Sequence, residues 1–304
     1  MRRPARPREA RRPATKGTHP DRVLAWSRTR DLCYGLLGIL AMEAGMTAVL
    51  RRNAPTVRER VSEAEWRTRV DLAAAYRLAD MYGMATTLIY NHISARVPGA
   101  EEHILLNPFG LRYDEVTASN LVKIDLDGNV LDDSPHEINR AGYVIHSAIH
   151  AARKDVVSVM HTHTEPGMAV SALEDGLLYV NQDSIMFYGN VGYHPFEGIA
   201  DDMAECKRLA ADLGDNLALI LQNHGLLTVG RTVGESFVLM FFLEKVCKAQ
   251  LQLMSAAQGR IRQPSKASLE YAAGQFDLKN KTCGGREWPA LVRQLDAVDP
   301  SYKD

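Results

Sequence analysis

The chain has 304 residues, 46% of them hydrophobic and 24% charged, with a formal net charge of −1. That composition supplies one sizeable core and excludes a chain that is disordered or repeat-built over most of its length. No stretch approaches the roughly 18 to 20 consecutive apolar residues of a membrane-spanning helix. The apolar segment from Tyr34 to Leu40 is broken by Gly35 and Gly38, so no membrane partner is expected.

Residues 1–30 hold ten Lys and Arg against Glu9 and Asp21, a local sum of +8, so the remainder sums to −9. An acidic body argues against general nucleic-acid binding, which needs a basic face to neutralise phosphates. The Arg-, Pro- and Ala-rich arm over residues 1–45 reads as a solvated, disordered extension. A targeting or anion-binding tail, and a translation start at Met46, are the alternatives. Cys33, Cys206, Cys247 and Cys283 lie far apart with no C-x-x-C pair, which reads as reduced thiols and a cytoplasmic location.

Ser62-Glu63-Ala64-Glu65 places a hydroxyl cap before an acidic first turn, followed by Trp66, Val70, Leu72, Ala73, Tyr76 and Leu78 at helical spacing. This predicts a helix ending near Gly83. Leu88-Ile89-Tyr90 with Ile93, and Ile104-Leu105-Leu106, predict short strands, and Pro108-Phe109-Gly110 a turn. Val122 to Leu131 predicts a hairpin around Asp127-Gly128-Asn129, because Asp-Gly tolerates the positive φ of a tight turn. Helices are expected from about Asn139 to Ala152, over Ala200–Leu213 and from about Val233 to Ala256, with strands at Val156–His163 and Ala218–Leu221. The order is α/β around a largely antiparallel sheet. Beyond about Gly259 the apolar periodicity is too short to demand a place in the core, so residues 259–304 are expected to pack peripherally or to cover a neighbouring subunit.

The informative chemistry lies in Val156-Val157-Ser158-Val159-Met160-His161-Thr162-His163, a β-branched run that delivers two histidines two residues apart. In a strand, residues i and i+2 project from the same face, so both imidazoles can share a metal. A third, His224, follows the apolar run Leu219-Ile220-Leu221 in Gln222-Asn223-His224-Gly225, where the glycine permits a sharp turn. Three imidazoles with an open position suit Zn²⁺, and also Fe²⁺ or Co²⁺. Ordinary strand histidines satisfied by their neighbours are the alternative.

His161-Thr162-His163, followed about sixty positions later by Asn223-His224-Gly225, resembles the class II aldolase/adducin family. Tyr90-Asn91-His92-Ile93-Ser94-Ala95-Arg96 is similar to that family's N-terminal substrate loop and Asn107-Pro108-Phe109-Gly110-Leu111 to its second loop. His146-Ser147-Ala148-Ile149-His150 is similar to its helix before the metal strand. The resemblance covers roughly residues 66–258, within a domain drawn at 46–258. It implies a three-layer α/β/α sandwich with a central, mainly antiparallel sheet. It also implies a homotetramer with sites at subunit interfaces and a divalent metal, zinc foremost, on His161, His163 and His224.

Sugar-phosphate aldolases of the family carry a Ser-Ser-Glu segment whose Glu acts as acid/base four positions before the residue matching His146. Here that position is Gly142, within Arg140-Ala141-Gly142. Their Thr-Pro-Ser-Gly phosphate loop reads Asn107-Pro108-Phe109-Gly110, without either hydroxyl. The resemblance therefore points away from a phosphorylated sugar and towards the adducin head and its bacterial relatives. Animal adducin heads are cytoskeletal and do not keep the histidine set, whereas this chain does.

Without the Glu, Glu137 in the Ser134-Pro135-His136-Glu137 loop and Tyr188 are the candidate acid/base groups, with Tyr193 and His194 near the latter. A phenol or imidazole beside a divalent ion can have its pKa lowered enough for such work. Surface and core packing roles are the alternatives for these side chains. Asn91, Ser94, Asn107 and Gly110 are the candidate substrate-binding positions. His146 and His150, one helical turn apart, read as buried helix histidines or as partners that orient a ligand imidazole.

Three functions remain open. The first is a divalent-metal-dependent lyase of the aldolase type, acting on a small non-phosphorylated hydroxy-carbonyl compound whose enediolate the ion would stabilise. The second is a non-haem iron oxygenase acting on an aromatic keto or hydroxy acid. The third is a non-catalytic, adducin-like scaffold whose basic arm binds a partner.

Overall fold

In the computed structural model the described residues are 55–99, 101–198, 203–257 and 259–304. The basic arm 1–45 and the alternative start at Met46 lie outside them. A short helix α1 (Val57–Arg60) precedes α2 (Glu63–Met81), whose start is set as the sequence predicts: the Ser62 side chain accepts the Glu65 N–H. One face of α2 buries Leu72, Ala75, Tyr76, Leu78 and Ala79.

The strands are β1 (Ile93–Arg96), β2 (Ile104–Leu106), β3 (Val122–Ile124), β4 (Ser158–Thr162), β5 (Val191–His194), β6 (Ala218–Leu221) and β7 (Gly225–Gly230). They form one sheet in the order β3-β2-β1-β4-β7-β6-β5. Every neighbouring pair is antiparallel except β5 with β6, which run parallel. Helices α3 (Arg140–Ala152) and α6 (Met203–Leu213) pack together beside β5, while α2 and the long α7 (Val233–Ala257) pack against β1, β4 and β7. The short α4 (Glu165–Ser171) and α5 (Gln182–Ile185) lean on α7. The result is the expected three-layer α/β/α sandwich, with the α7 layer tied to the sheet by Ser236 Oγ to Ser158 Oγ at 2.8 Å.

Two differences from the sequence reading have local causes. Residues 88–90 are a turn rather than a strand, because Leu88 and Asn91 take positive φ (62° and 75°) and reverse the chain just before β1. Strand β7 follows the His224 turn unannounced by any alternation, since all six of its residues are buried. The first three residues of the helix expected over Ala200–Leu213 lie outside the described residues, and α6 occupies Met203–Leu213.

The stretch 259–304 belongs to the same unit as the sandwich, Thr56–Asp304. It forms α8 (Lys266–Phe276), α9 (Glu287–Val298) and a 3-10 turn at Pro300–Lys303. Its attachment is more than peripheral: Trp288 packs on Phe237 of α7 and its indole N–H donates to Asp71, while the Tyr302 side chain is wholly buried. The Ala118 N–H also donates to the Tyr302 carbonyl, at 2.9 Å. Two or three aromatic anchors spaced far apart leave no helical period to read, which is why the sequence pattern looked peripheral. Among the described residues no helix is long and apolar enough to cross a membrane.

Candidate metal centre and its cavity

His161 sits on β4 one residue before its end and His163 one residue beyond it, so the pleat sends both rings to one side, as i and i+2 require. His224 arrives from the tight β6–β7 turn, where Asn223 takes a φ of 57°. One of the two antiparallel neighbours of β4 is β7, and its register, Thr162 opposite Leu226, carries His224 over the β4 pair. One nitrogen from each of the three rings lies within 4.8 Å of the others, and the ring centroids are 4.5 to 4.9 Å apart. His161 Nε2 is 2.7 Å from His163 Nε2.

Gly225 is indispensable to this approach. A Cβ there would overlap the Thr162 carbonyl oxygen and stand 3.0 Å from His163 Cδ2 and 3.4 Å from His161 Cε1. Behind the trio, the buried carboxyl of Glu244 on α7 accepts the hydroxyls of Thr162 (2.5 Å) and Thr164, the residues on either side of His163. Burial raises the Glu244 pKa, against the lowering effect of the two hydroxyls.

The donor set fits a divalent ion. The His161 Nδ1–H donates to the Leu226 carbonyl at 2.8 Å, which leaves its Nε2 lone pair free to coordinate. Burial lowers the pKa of all three rings and their mutual repulsion lowers His161 and His224 further, the latter to about 4. Neutral imidazole is the form that binds metal.

The trio forms one end of a cavity of about 390 Å³. Thr87, Tyr90, Asn91 and His92 line it from the approach to β1; Asn139, Gly142, Ile145 and His146 from the start of α3; and Phe196 and Gly198 from beyond β5. Its described lining contains no Lys, Arg, Asp or Glu. The His92 ring is held by Asn107, whose Oδ1 lies 2.9 Å from both His92 Nδ1 and the Tyr76 hydroxyl. Burial takes the His92 pKa down to about 4. Ser94 Oγ bridges His146 Nδ1 (2.7 Å) and His150 Nε2 (2.9 Å). Burial holds both of these rings well below the usual imidazole range, His150 at about 3.

The predicted site residues therefore separate. His161, His163, His224 and Asn91 meet in the cavity, while Asn107 and Ser94 stand behind it as the hydrogen-bond partners of His92 and His146. Gly110 occupies an exposed turn at φ +97° and is not among the lining residues. Glu137 and Tyr188 do not line the cavity either. The Glu137 carbonyl accepts the Phe109 N–H, and Tyr188 stacks edge-on against Tyr179 at 5.2 Å. Tyr193 accepts the Leu177 N–H, and His194 Nδ1 pairs with Asp212 at 2.7 Å. Within one chain Tyr188, Tyr193 and His194 are built into the scaffold, while Glu137 is exposed.

Sequence reasoning passed over His92. Its ring fills the space in front of Gly142, where a Cβ would overlap its Cδ2 and Nε2 atoms. The available signal was a glycine inside a helix, which marks a close approach without saying what approaches.

A family profile, Class II Aldolase and Adducin N-terminal domain, matches residues 70–251. The chain belongs to that family. A class 2 aldolase-type protein of Caulobacter vibrioides is 45% identical over 82% of this chain and 96% of its own length. Alpha-adducin of Rattus norvegicus is 35% identical over 92% of this chain but only 42% of that protein. Among solved structures, an aldolase II superfamily protein from Pseudomonas syringae matches with a TM-score of 0.79 at 50% identity, covering 82% of this chain and 99% of the other. An L-fuculose 1-phosphate aldolase from Glaciozyma antarctica matches with a TM-score of 0.69 at 29% identity, over 83% and 96%.

Proposed function

We propose that this class II aldolase-family chain is a divalent-metal-dependent lyase of the aldolase type, acting on a small, non-phosphorylated hydroxy-carbonyl compound. The observation that carries this reading is the convergence of three neutral imidazoles at one end of a cavity whose described lining has no cation to hold a phosphate. A bound divalent ion supplies Lewis acidity that polarises a carbonyl oxygen. His161, His163 and His224 would hold it, and zinc suits three nitrogen ligands with an open position. The Leu226 carbonyl and the Glu244 carboxyl fix the ligand rings from behind. Tyr90, Ile145 and Phe196 give the cavity apolar lining.

The thiols of Cys247 and Cys283, unpaired among the described residues, support a cytoplasmic location. The half-exposed rings of Tyr90 and Phe196 at the cavity support a site completed by a second copy, in keeping with a homotetramer. A scaffold without catalysis is the second reading, favoured by the similarity to alpha-adducin.

The deciding experiment is elemental analysis of protein purified without added metal, beside a His161→Ala/His163→Ala variant. Near-stoichiometric zinc that the variant loses supports the lyase. Iron in its place, with oxygen consumption, moves the reading to an oxygenase on an aromatic keto or hydroxy acid. A wild type that takes up neither ion when offered both sinks the enzyme readings and leaves the scaffold.

A further inference from the structure

The cavity holds polar atoms that the histidine trio does not use. His146 Nε2 belongs to a buried ring, lines the cavity and has no hydrogen-bond partner in the protein. Both amide atoms of Asn91, also buried and on the cavity wall, are likewise unpartnered. Unpaired buried donors and acceptors are costly, so such atoms mark where a ligand or an ordered water completes them. Asn91 sits there at a φ of 75°, in the left-handed region that Asn tolerates better than most residues.

Ser94 determines what His146 offers. Its hydroxyl has one proton for two imidazoles, His146 Nδ1 and His150 Nε2. When Ser94 donates to His146, the Nε2 carries the other ring proton and donates into the cavity. When Ser94 donates to His150, it accepts from His146 Nδ1–H, and Nε2 becomes an acceptor. Exchange between the two arrangements requires both rings to change tautomer as the hydroxyl turns, and it matches His146 to a carbonyl or to a hydroxyl. The Asn91 amide has the same dual character, and Tyr90, Ile145 and Phe196 add apolar surface to the lining of the same cavity.

We propose that His146 Nε2 and the Asn91 amide form a recognition subsite for uncharged oxygen functions, so that the cavity selects a small unphosphorylated hydroxy-ketone carrying an apolar group. The position of its reacting end rests on the metal reading above; the two unpartnered side chains need no metal. His146 is thereby a ligand-contacting residue rather than a filler of the helix interior.

The test uses the full chain, metal-loaded and metal-stripped. It is titrated calorimetrically with acetoin, dihydroxyacetone and dihydroxyacetone phosphate, with metal content and melting temperature measured for each variant. Acetoin binds more tightly than dihydroxyacetone phosphate; His146→Leu and Asn91→Leu each weaken acetoin about tenfold at unchanged metal content, and His146→Gln retains most of the affinity. In ¹⁵N-histidine-labelled wild type, the His146 Nε2 resonance moves on adding acetoin, which decides the matter even where a variant fails to fold. Tighter binding of the phosphate ester, no binding of any probe, or an unmoved resonance overturns the proposal. His146-dependent binding in a chain that loads no metal upholds the subsite and defeats the metal reading. Metal loading with a His146-independent affinity does the reverse.

Discussion

Gly142 and His92 share one volume: a Cβ on Gly142 would overlap Cδ2 and Nε2 of the His92 ring and stand 2.7 Å from its Cγ. The position at which sugar-phosphate aldolases of the family place a carboxylate is thus closed by an imidazole from a different segment. Asn107 and Tyr76 lock that imidazole in place. Gly142→Ala is therefore expected to lower stability by about 1–3 kcal/mol, the usual penalty for overpacking a tight site. In a double-mutant cycle with His92→Ala the two penalties are less than additive, because removing the ring makes room for the methyl. Denaturant unfolding of the four proteins measures this, and strict additivity contradicts the shared volume.

Gly225 makes the equivalent contact for the trio. Gly225→Ala drives a methyl into the Thr162 carbonyl and towards the His163 ring. The expected result is a chain that folds with about 1–3 kcal/mol less stability and binds Zn²⁺ at least tenfold more weakly, since a slight shift of β7 against β4 moves His224 off the other two. Competition with a chromophoric chelator reads the affinity; unchanged zinc binding sinks this account.

Glu244 holds both threonines that flank His163. Glu244→Leu leaves two hydroxyls without their acceptor and is expected to reduce metal affinity between about 10- and 100-fold, the usual range for groups that orient metal ligands. Glu244→Gln, which retains an acceptor oxygen, loses less. Equal affinities in the two variants would mean that the clamp does not position His163.

The buried rings of His92, His146 and His150 make stability depend on pH. Burial holds their folded pKa values below the ordinary imidazole value of 6.5, at about 4 for His92 and about 3 for His150. As pH falls below 6.5 the unfolded chain takes up protons that the folded chain refuses, so stability is complete above about pH 7 and declines down to the folded pKa values. Each ring contributes a slope of up to about 1.4 kcal/mol per pH unit in that window. Unfolding free energies at pH 7.0, 6.0 and 5.0 test this, and a flat profile contradicts it.

Some of these features were legible in the residues. The His161-Thr162-His163 spacing specifies a shared face only if the segment is a strand, and its β-branched run makes it one. The Ser62 cap, the Asp127-Gly128 turn with its φ of 88° and the α3 and α7 spans follow from local chemistry that acts within a few residues. The acid/base candidates, Glu137 as the nearest acid and Tyr188 from a cluster with Tyr193 and His194, do not line the cavity of this chain, because a few residues along the chain say little about which way a loop turns.

By itself, then, the sequence determined most of the sandwich's elements and the three imidazoles suited to a metal, since strand alternation, helix capping and imidazole coordination are short-range properties of particular side chains. Only the tertiary structure decided what surrounds them. The His92 ring comes to lie against Gly142, Glu244 beneath Thr162 and Thr164, and Tyr302 in the core, through contacts between residues 50 to more than 80 positions apart or at the far end of the chain. Such contacts arise from the register of β4 with β7 and the packing of helices on the sheet, and no local pattern records them.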